Sequence, residues 1–182
     1  MRVWGNVQAG MRYFETEWRK RPEYQGGWVL DGGVHHVALV RYVSGEEVVE
    51  TRGFARQVAE HLPPLDTVNA AVLLSGGATG TISMSFASKR KANEYLFVGE
   101  KGSLSMSMGE DGTKLKLEIE DGEGESREEV VKSRGVPNEI EAFLEAVKTG
   151  KAGGKAGPEE ALNDVALIES LCKEGGKVEN WS

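Results

Sequence analysis

A single cysteine, Cys172, among 182 residues leaves no partner for an internal disulfide. It also rules out a zinc site built on cysteines. Cys172 falls on the apolar side of an expected helix, where a thiol is an inert core group rather than a nucleophile. Positive charge is scarce as well: 22 Lys and Arg against 29 Asp and Glu leave a net charge of -7. Nucleic-acid binding needs a basic footprint, and the one basic cluster, Lys89-Arg90-Lys91, reads as a solvated hairpin loop. Long apolar runs are missing. No stretch approaches the ~20 residues of a membrane span, and residues 1–8 lack the apolar core of a secretory leader. A cytoplasmic protein is expected, with neither nucleic acid nor membrane as partner. No Gly-x-Gly-x-x-Gly follows a strand, so no dinucleotide site can be assigned. Gly99-Glu100-Lys101-Gly102 lacks the spacing of a phosphate loop and reads as a turn between strands.

A chain of this length can bury about two thirds of its unfolded surface without a staple, and one domain over residues 1–182 is expected. Residues 1–8 read as a first strand, and 10–25, rich in aromatic and charged residues, as an irregular arm. Residues 31–44 are valine-rich, so a strand competes, but caps at both ends favour a helix, with Asp31 as its N-cap and Gly45 in the left-handed position after it. Strands are expected over 47–53, 67–74, 79–86, 94–99, 103–108, 114–120 and 128–132. Ser75-Gly76-Gly77 and Asp111-Gly112 mark hairpin turns. Two helices follow, 137–149 with Ile140, Phe143, Leu144 and Val147 on one face, and 158–174 with Ala161, Val165, Ile168 and Cys172. Each starts at a proline and stops at a glycine, and 151–157 connects them. Short connections favour antiparallel pairing. The fold class is therefore α+β, an open, mainly antiparallel sheet with helices packed on one face.

The chemistry concentrates near the first long helix. Asp31 and His35 stand four residues apart, which puts both on one helix face. Counted from an Asp31 cap, His35 lies in the first turn, where the helix dipole disfavours imidazolium and leaves a neutral proton acceptor. The plainer alternative is a capping carboxylate and a satisfied core histidine. His36 points about 100° away and is expected to be structural. A metal site from Asp31, His35 and His36 lacks a third well-placed ligand, so no metal is expected. On the arm, Arg19 offers a planar fork for a carboxylate or phosphate. Tyr13, Trp18 and Tyr24 offer ring faces for a sugar-like substrate; the competing role for all four is packing the arm onto the sheet. His61 reads as a surface loop residue.

Several blocks carry a resemblance. Trp18-Arg19 and Pro22 to His35, with its Asp-x-Gly-x-His core, are joined by His61 to Thr67, Val98 to Leu104, Gly135 to Ile140 and Gly157 to Leu162. In this order they resemble the glucose–fructose oxidoreductase / inositol dehydrogenase (Gfo/Idh/MocA) family, most closely a fungal branch, over nearly the whole chain. The resemblance implies a C-terminal α/β domain with a large open sheet, which supplies the substrate pocket and commonly the oligomer interface. It implies that Asp31 is the acidic site residue and His35 the proton-moving histidine. The Rossmann domain that binds NAD or NADP in this family, and its Glu-Lys-Pro lysine, have no counterpart here, because Glu100-Lys101 is followed by Gly102.

Three functions follow as expectations. The first is a small-molecule enzyme doing cofactor-independent acid–base chemistry, of isomerase, lyase or cyclase type, with Asp31 and His35 as acid and base and Arg19, Tyr24, Trp18 and Tyr13 binding substrate. The second is a truncated or split subunit of an NAD(P)-dependent oxidoreductase, its nucleotide supplied by a Rossmann partner. The third is a non-catalytic ligand-binding or oligomerisation module. Apolar residues on 68–74 and 82–86 suggest a homodimer or higher homo-oligomer paired through the sheet face.

Overall fold

Alternating residues form strands here because successive side chains leave a pleated backbone on opposite sides. The computed structural model describes residues 1–23, 27–108, 114–132, 135–151 and 157–180. Among them the strands are β1 (Arg2–Asn6), β2 (Val48–Arg56), β3 (Thr67–Leu74), β4 (Thr79–Ser85), β5 (Ala87–Gly99), β6 (Gly102–Met108), β7 (Lys114–Asp121), β8 (Ser126–Lys132) and β9 (Gly175–Lys177). The helices are α1 (Glu17–Lys20), α2 (Gly27–Ser44), α3 (Val136–Thr149) and α4 (Pro158–Cys172). The strand order is β8-β7-β6-β5-β1-β4-β3-β2-β9. Neighbours pair antiparallel at every described register except β1 with β4, which is parallel. The α+β class with a mixed, mostly antiparallel sheet is therefore as the pattern implied.

The chain divides into two units, Met1–Ala92 with Glu159–Ser182, and Asn93–Pro158. In the first, α2 and α4 cover one face of β4, β3 and β2. Val68, Val72, Leu74, Ile82 and Met84 of those strands are buried, with Leu167, Ile168 and Leu171 of α4 and Val29, Val37 and Val40 of α2. Thr51 of β2 and Ser170 of α4 share a buried hydroxyl hydrogen bond of 2.7 Å. Cys172 is buried, and desolvation pushes its thiol up to about 11, as expected of an inert core group. In the second unit, β6, β7 and β8 form a meander, and Lys116 bridges Glu118 and Glu128 on its surface. No residue of α3 is buried, so its apolar stripe of Ile140, Phe143, Leu144 and Val147 is present but uncovered.

Several expectations need correction. The basic run Lys89-Arg90-Lys91 is not a hairpin loop but part of β5, next to β1, with the Arg90 guanidinium 5.6 Å from the Trp4 ring. α2 starts at Gly27, four residues before Asp31, because Trp28, Val29 and Leu30 already pack as a helical turn. Asp31 is therefore not its N-cap, and His35 is not in the first turn. The arm contains the short helix α1. α4 ends at Cys172, Glu174 turns left-handed, and Gly175 and Gly176 go on to pair with β2 as β9. α4 buries Leu167 and Leu171 beside Ile168 and Cys172, whereas Val165 is 43% exposed. The apolar residues of β3 and β4 are mostly spent on the inner face; the outer face carries Asn69, Ala71, Leu73, Thr79 and Thr81. The expected turn at 75–77 is present, closed by Gly77 N–H donating to Leu74 O at 2.9 Å. The Asp111-Gly112 turn lies outside the described residues, as does most of the 151–157 connection.

A buried ion cluster ties the ends of this unit together. Arg41, whose side chain is 4% exposed, donates from Nε and one terminal nitrogen to Glu47, both at 2.6 Å. It also donates to Glu160 at 2.9 Å and to Asp164 at 2.5 Å. These contacts raise the guanidinium pKa further, Glu47 contributing most. Burial holds the Asp164 carboxyl above its usual range, since one guanidinium is shared among three carboxylates. Arg41→Met removes the shared partner of three partly exposed carboxylates and is expected to cost about 1–3 kcal/mol of unfolding free energy, measured by urea denaturation. Gly32→Ala places a methyl 2.7 Å from two Phe86 ring atoms, and is expected to cost about 1–3 kcal/mol in the same assay through overpacking.

Candidate functional site

The site lies where the arm meets the solvent-facing side of α2. At 3.6 residues per turn, Val29, Gly33, Val37 and Val40 share the buried side of the helix. Asp31 and His35 fall on the opposite side, with Tyr42 two turns further on. The pattern of exposure agrees: His35 and Tyr42 are exposed, Asp31 is partly exposed, and His36 sits at the margin of the buried side. α2 can lie this close to its neighbours because Gly33 has no side chain. A Cβ there would stand 3.0 Å from Ile168 and 3.4 Å from Met84.

Arg19 links the arm to this helix. Its Nε donates to Asp31 Oδ2 at 2.7 Å and a terminal nitrogen to Asp31 Oδ1 at 3.3 Å, a two-point pair. The other terminal nitrogen donates to Thr16 Oγ1 at 3.3 Å. The guanidinium carbon lies 3.9 Å over the Trp18 ring, with the Trp28 ring centroid at 5.6 Å and Tyr13 at 6.0 Å. Such stacking suits a planar, weakly hydrated cation. Of the residues singled out from the sequence, Tyr13, Trp18, Arg19 and Asp31 are thus brought together. His35 stands one turn beyond Asp31 on α2, with no hydrogen bond between the two side chains. Tyr24 lies outside the described residues. The fork of Arg19 is held by Asp31, so its first partner is internal.

Trp28 was not foreseen. It backs the guanidinium, leans on Phe86 with ring centroids 6.4 Å apart, and its buried indole N–H has no hydrogen-bond partner. Its place inside the Gly27–Gly33 block was the available signal. His61, read as a plain loop residue, bonds through Nε2 to Val7 O at 2.9 Å and meets Phe14 edge-on at 5.6 Å. It thereby pins the arm's root. The loop after it packs against the start of α2, where a Cβ on Gly27 would stand 2.4 Å from Pro63 O. Buried Asp66 closes that loop by accepting from the backbone N–H groups of Val58 and Ala59.

The two adjacent histidines differ. His36 is largely buried, and desolvation, with His35 beside it, lowers its pKa to about 4. It is a neutral interior ring, whereas His35 is open to solvent and to any ligand. Among the described residues no group of three or more His, Cys, Asp or Glu could hold a metal ion. Because the folded pKa of His36 lies below its unfolded value, the unfolded state takes up more protons between pH 6.5 and 4. Stability is then complete above pH 6.5 and is lost as pH falls toward 4. A pH series of urea titrations is expected to show His36→Gln removing up to roughly 3 kcal/mol of this slope.

The GFO/IDH/MocA C-terminal domain model matches residues 2–105, more than half of the chain. A dehydrogenase of Fusarium mangiferae, FPY6, is 33% identical over 175 residues, covering 92% of this chain and 49% of that protein. The aldose–aldose oxidoreductase of Caulobacter crescentus superposes with a TM-score of 0.77 at 18% identity, over 97% of this chain and 53% of that one. The WlbA dehydrogenase of Bordetella pertussis, in complex with NADH and UDP-GlcNAcA, superposes at 0.72 and 17% identity, over 98% and 54%. These two structural likenesses establish the fold. The chain spans about half the length of the curated relatives it matches. By its matching domain model and the fold just described, the chain belongs to the GFO/IDH/MocA oxidoreductase family, as a C-terminal substrate domain.

Proposed function

We propose that this chain binds a sugar- or polyol-like molecule and moves its hydroxyl proton, as the substrate half of an oxidoreductase. The observation that carries the reading is the position of His35, exposed and one helical turn beyond an Asp31 held rigidly by Arg19. Oxidising an alcohol removes a proton from oxygen and a hydride from carbon. His35 accepts the first of these, and Asp31, held in place by Arg19, accepts a hydrogen bond from a neighbouring hydroxyl and orients the ring.

The described residues do not fit a dinucleotide. Among the described residues no glycine-rich strand-to-helix turn is present, and the parallel pair β1 with β4 has two intervening strands in its connection. The hydride acceptor of such a reaction is therefore not provided by these residues; in the NADH complex of WlbA the matched region is about half of that chain. An isomerase- or lyase-type step without cofactor draws on the same two side chains and has no observation of its own. An oligomer through the outer sheet face is part of the proposal. Phe54, 70% exposed on β2, and Leu73, 36% exposed on β3, are two apolar groups on that face.

Candidate sugars and polyols are to be assayed with the full chain, with and without NAD(P) and a Rossmann-bearing partner. His35→Ala is expected to lower turnover by at least a hundredfold while the protein stays folded. Unchanged turnover in that variant would refute the assignment, and turnover without nucleotide or partner would favour the isomerase or lyase reading. Sedimentation at micromolar concentration is expected to show a dimer or larger species; a monomer there would remove the oligomer from the proposal.

A further inference from the structure

The unit Asn93–Pro158 carries two apolar faces and fully covers neither. The first is on the meander. Residues paired across its strands point to the same side of the sheet. The registers put Phe97, Leu104 and Ile119 in one row and Met108 with Leu115 in another, with Leu117 between them. The opposite side is mixed, with Leu96 and Val98 on β5 but mostly serine and charge beyond, among them Ser105, Lys116, Glu118 and Glu128. An antiparallel sheet with one apolar side is built to receive a second layer there. That layer is incomplete: Phe97, Leu104, Leu115, Leu117 and Ile119 are only part-buried, and Met108 is 36% exposed.

The second face is the stripe of α3. Val136, Ile140, Phe143 and Val147 recur at spacings of four, three and four, with Leu144 beside them, which places all five on one side of a helix. Each is at least half exposed, Phe143 at 67%. Among the described residues α3 is the one helix of this unit, and with none of its residues buried it does not supply the layer its own meander lacks. The two faces match in size. The stripe runs about 17 Å along the helix. The apolar positions extend about 14 Å along β7 and about 14 Å across the four strands. One helix laid on one meander buries roughly 500 Å² of each; done in both directions, this reaches about 2,000 Å², the size of a specific, stable interface. Two copies related by a two-fold axis satisfy all four faces at once, because each helix meets the other's meander.

We propose that the α3 stripe and the apolar meander face are the two halves of one self-association surface: in a symmetric dimer, α3 of each copy lies on the meander of the other. This surface uses none of the residues offered above for an oligomer through Phe54 and Leu73. The test is covalent trapping and sedimentation of the full chain. One batch carries Phe143→Cys and a second, tagged batch Leu117→Cys. They are mixed while dilute, concentrated and treated with a short bis-maleimide. A mixed covalent dimer is expected to predominate over same-batch products, and the parent, whose single thiol is the buried Cys172, is expected to give none. Phe143→Asp is expected to raise the dimer dissociation constant at least tenfold with unchanged far-ultraviolet circular dichroism. Phe54→Asp should leave the mixed cross-link in place. A parent that sediments as a monomer at micromolar concentration would overturn the proposal and leave both faces to a different protein. A Phe143→Asp variant that associates like the parent would also overturn it, as would a cross-link that forms within one chain carrying both cysteines in place of the mixed one. Association lost with Phe54→Asp but not with Phe143→Asp would keep the outer-face oligomer and remove this one.

Discussion

The candidate site depends on how closely α2 can approach its neighbours. A helix whose inner side carries glycine at 33 sits with its backbone almost against Met84 of β4 and Ile168 of α4. Gly32 fits over the ring of Phe86 in the same way. These contacts fix the rotation of the helix about its axis, because any other rotation would drive a side chain into that space. Once the rotation is fixed, the helical period decides the rest. Asp31 and His35 must face outward, His36 must lie at the margin of the core, and Arg41 must point inward. The double glycine is thus a packing device whose consequence is functional.

The inward Arg41 then needs partners, since an unpaired buried cation would cost several kcal/mol. They come from distant parts of the sequence: Glu47 from the turn after α2, and Glu160 and Asp164 from the first turns of α4. The cluster closes a loop of more than a hundred residues and sets α4 beside α2. At the other end of α2 the cation of the pair is more exposed, Arg19 at 17% against Arg41 at 4%, with Asp31 at 22%. Solvent screens it, so its worth lies in geometry more than in energy. It anchors the arm, holds the carboxylate in one orientation and leaves the outer faces of Trp18 and Tyr13 open.

Much of this was legible in the residues. The hydrophobic period located α3 and α4, the caps expected at Asp31 and Gly45 located α2, and alternation located eight of the nine strands, with β3 placed to the residue. Gly45 and Gly150 do adopt the left-handed conformation that their position after a helix implies. What escaped reading has physical causes. Lys89-Arg90-Lys91 looked like a turn because charge runs are normally solvated, and all three are indeed exposed, but on a strand beside β1. Asp31 looked like a cap because local chemistry permits it; the helix began earlier because Trp28 gains more by packing against Phe86 than the chain gains by stopping. β9 was hidden because Gly175 and Gly176 end a helix by their nature, and only the pairing with β2 shows that they also form a strand. The pairing of Arg19 with Asp31 spans twelve positions and follows no period, so the sequence could name both residues without joining them.

That pairing changes the chemistry of the constellation. On spacing alone, Asp31 and His35 invited a proton shared along one helix face. Both oxygens of Asp31 are instead engaged by Arg19, which holds the side chain as a fixed hydrogen-bond acceptor. His35 is exposed and makes no hydrogen bond to Asp31, which is why the proposal gives it the proton. His36, the other imidazole in reach by sequence, is kept neutral by burial. The division is a consequence of placement: three polar groups within six residues have three different surroundings, one ion-paired, one open and one buried.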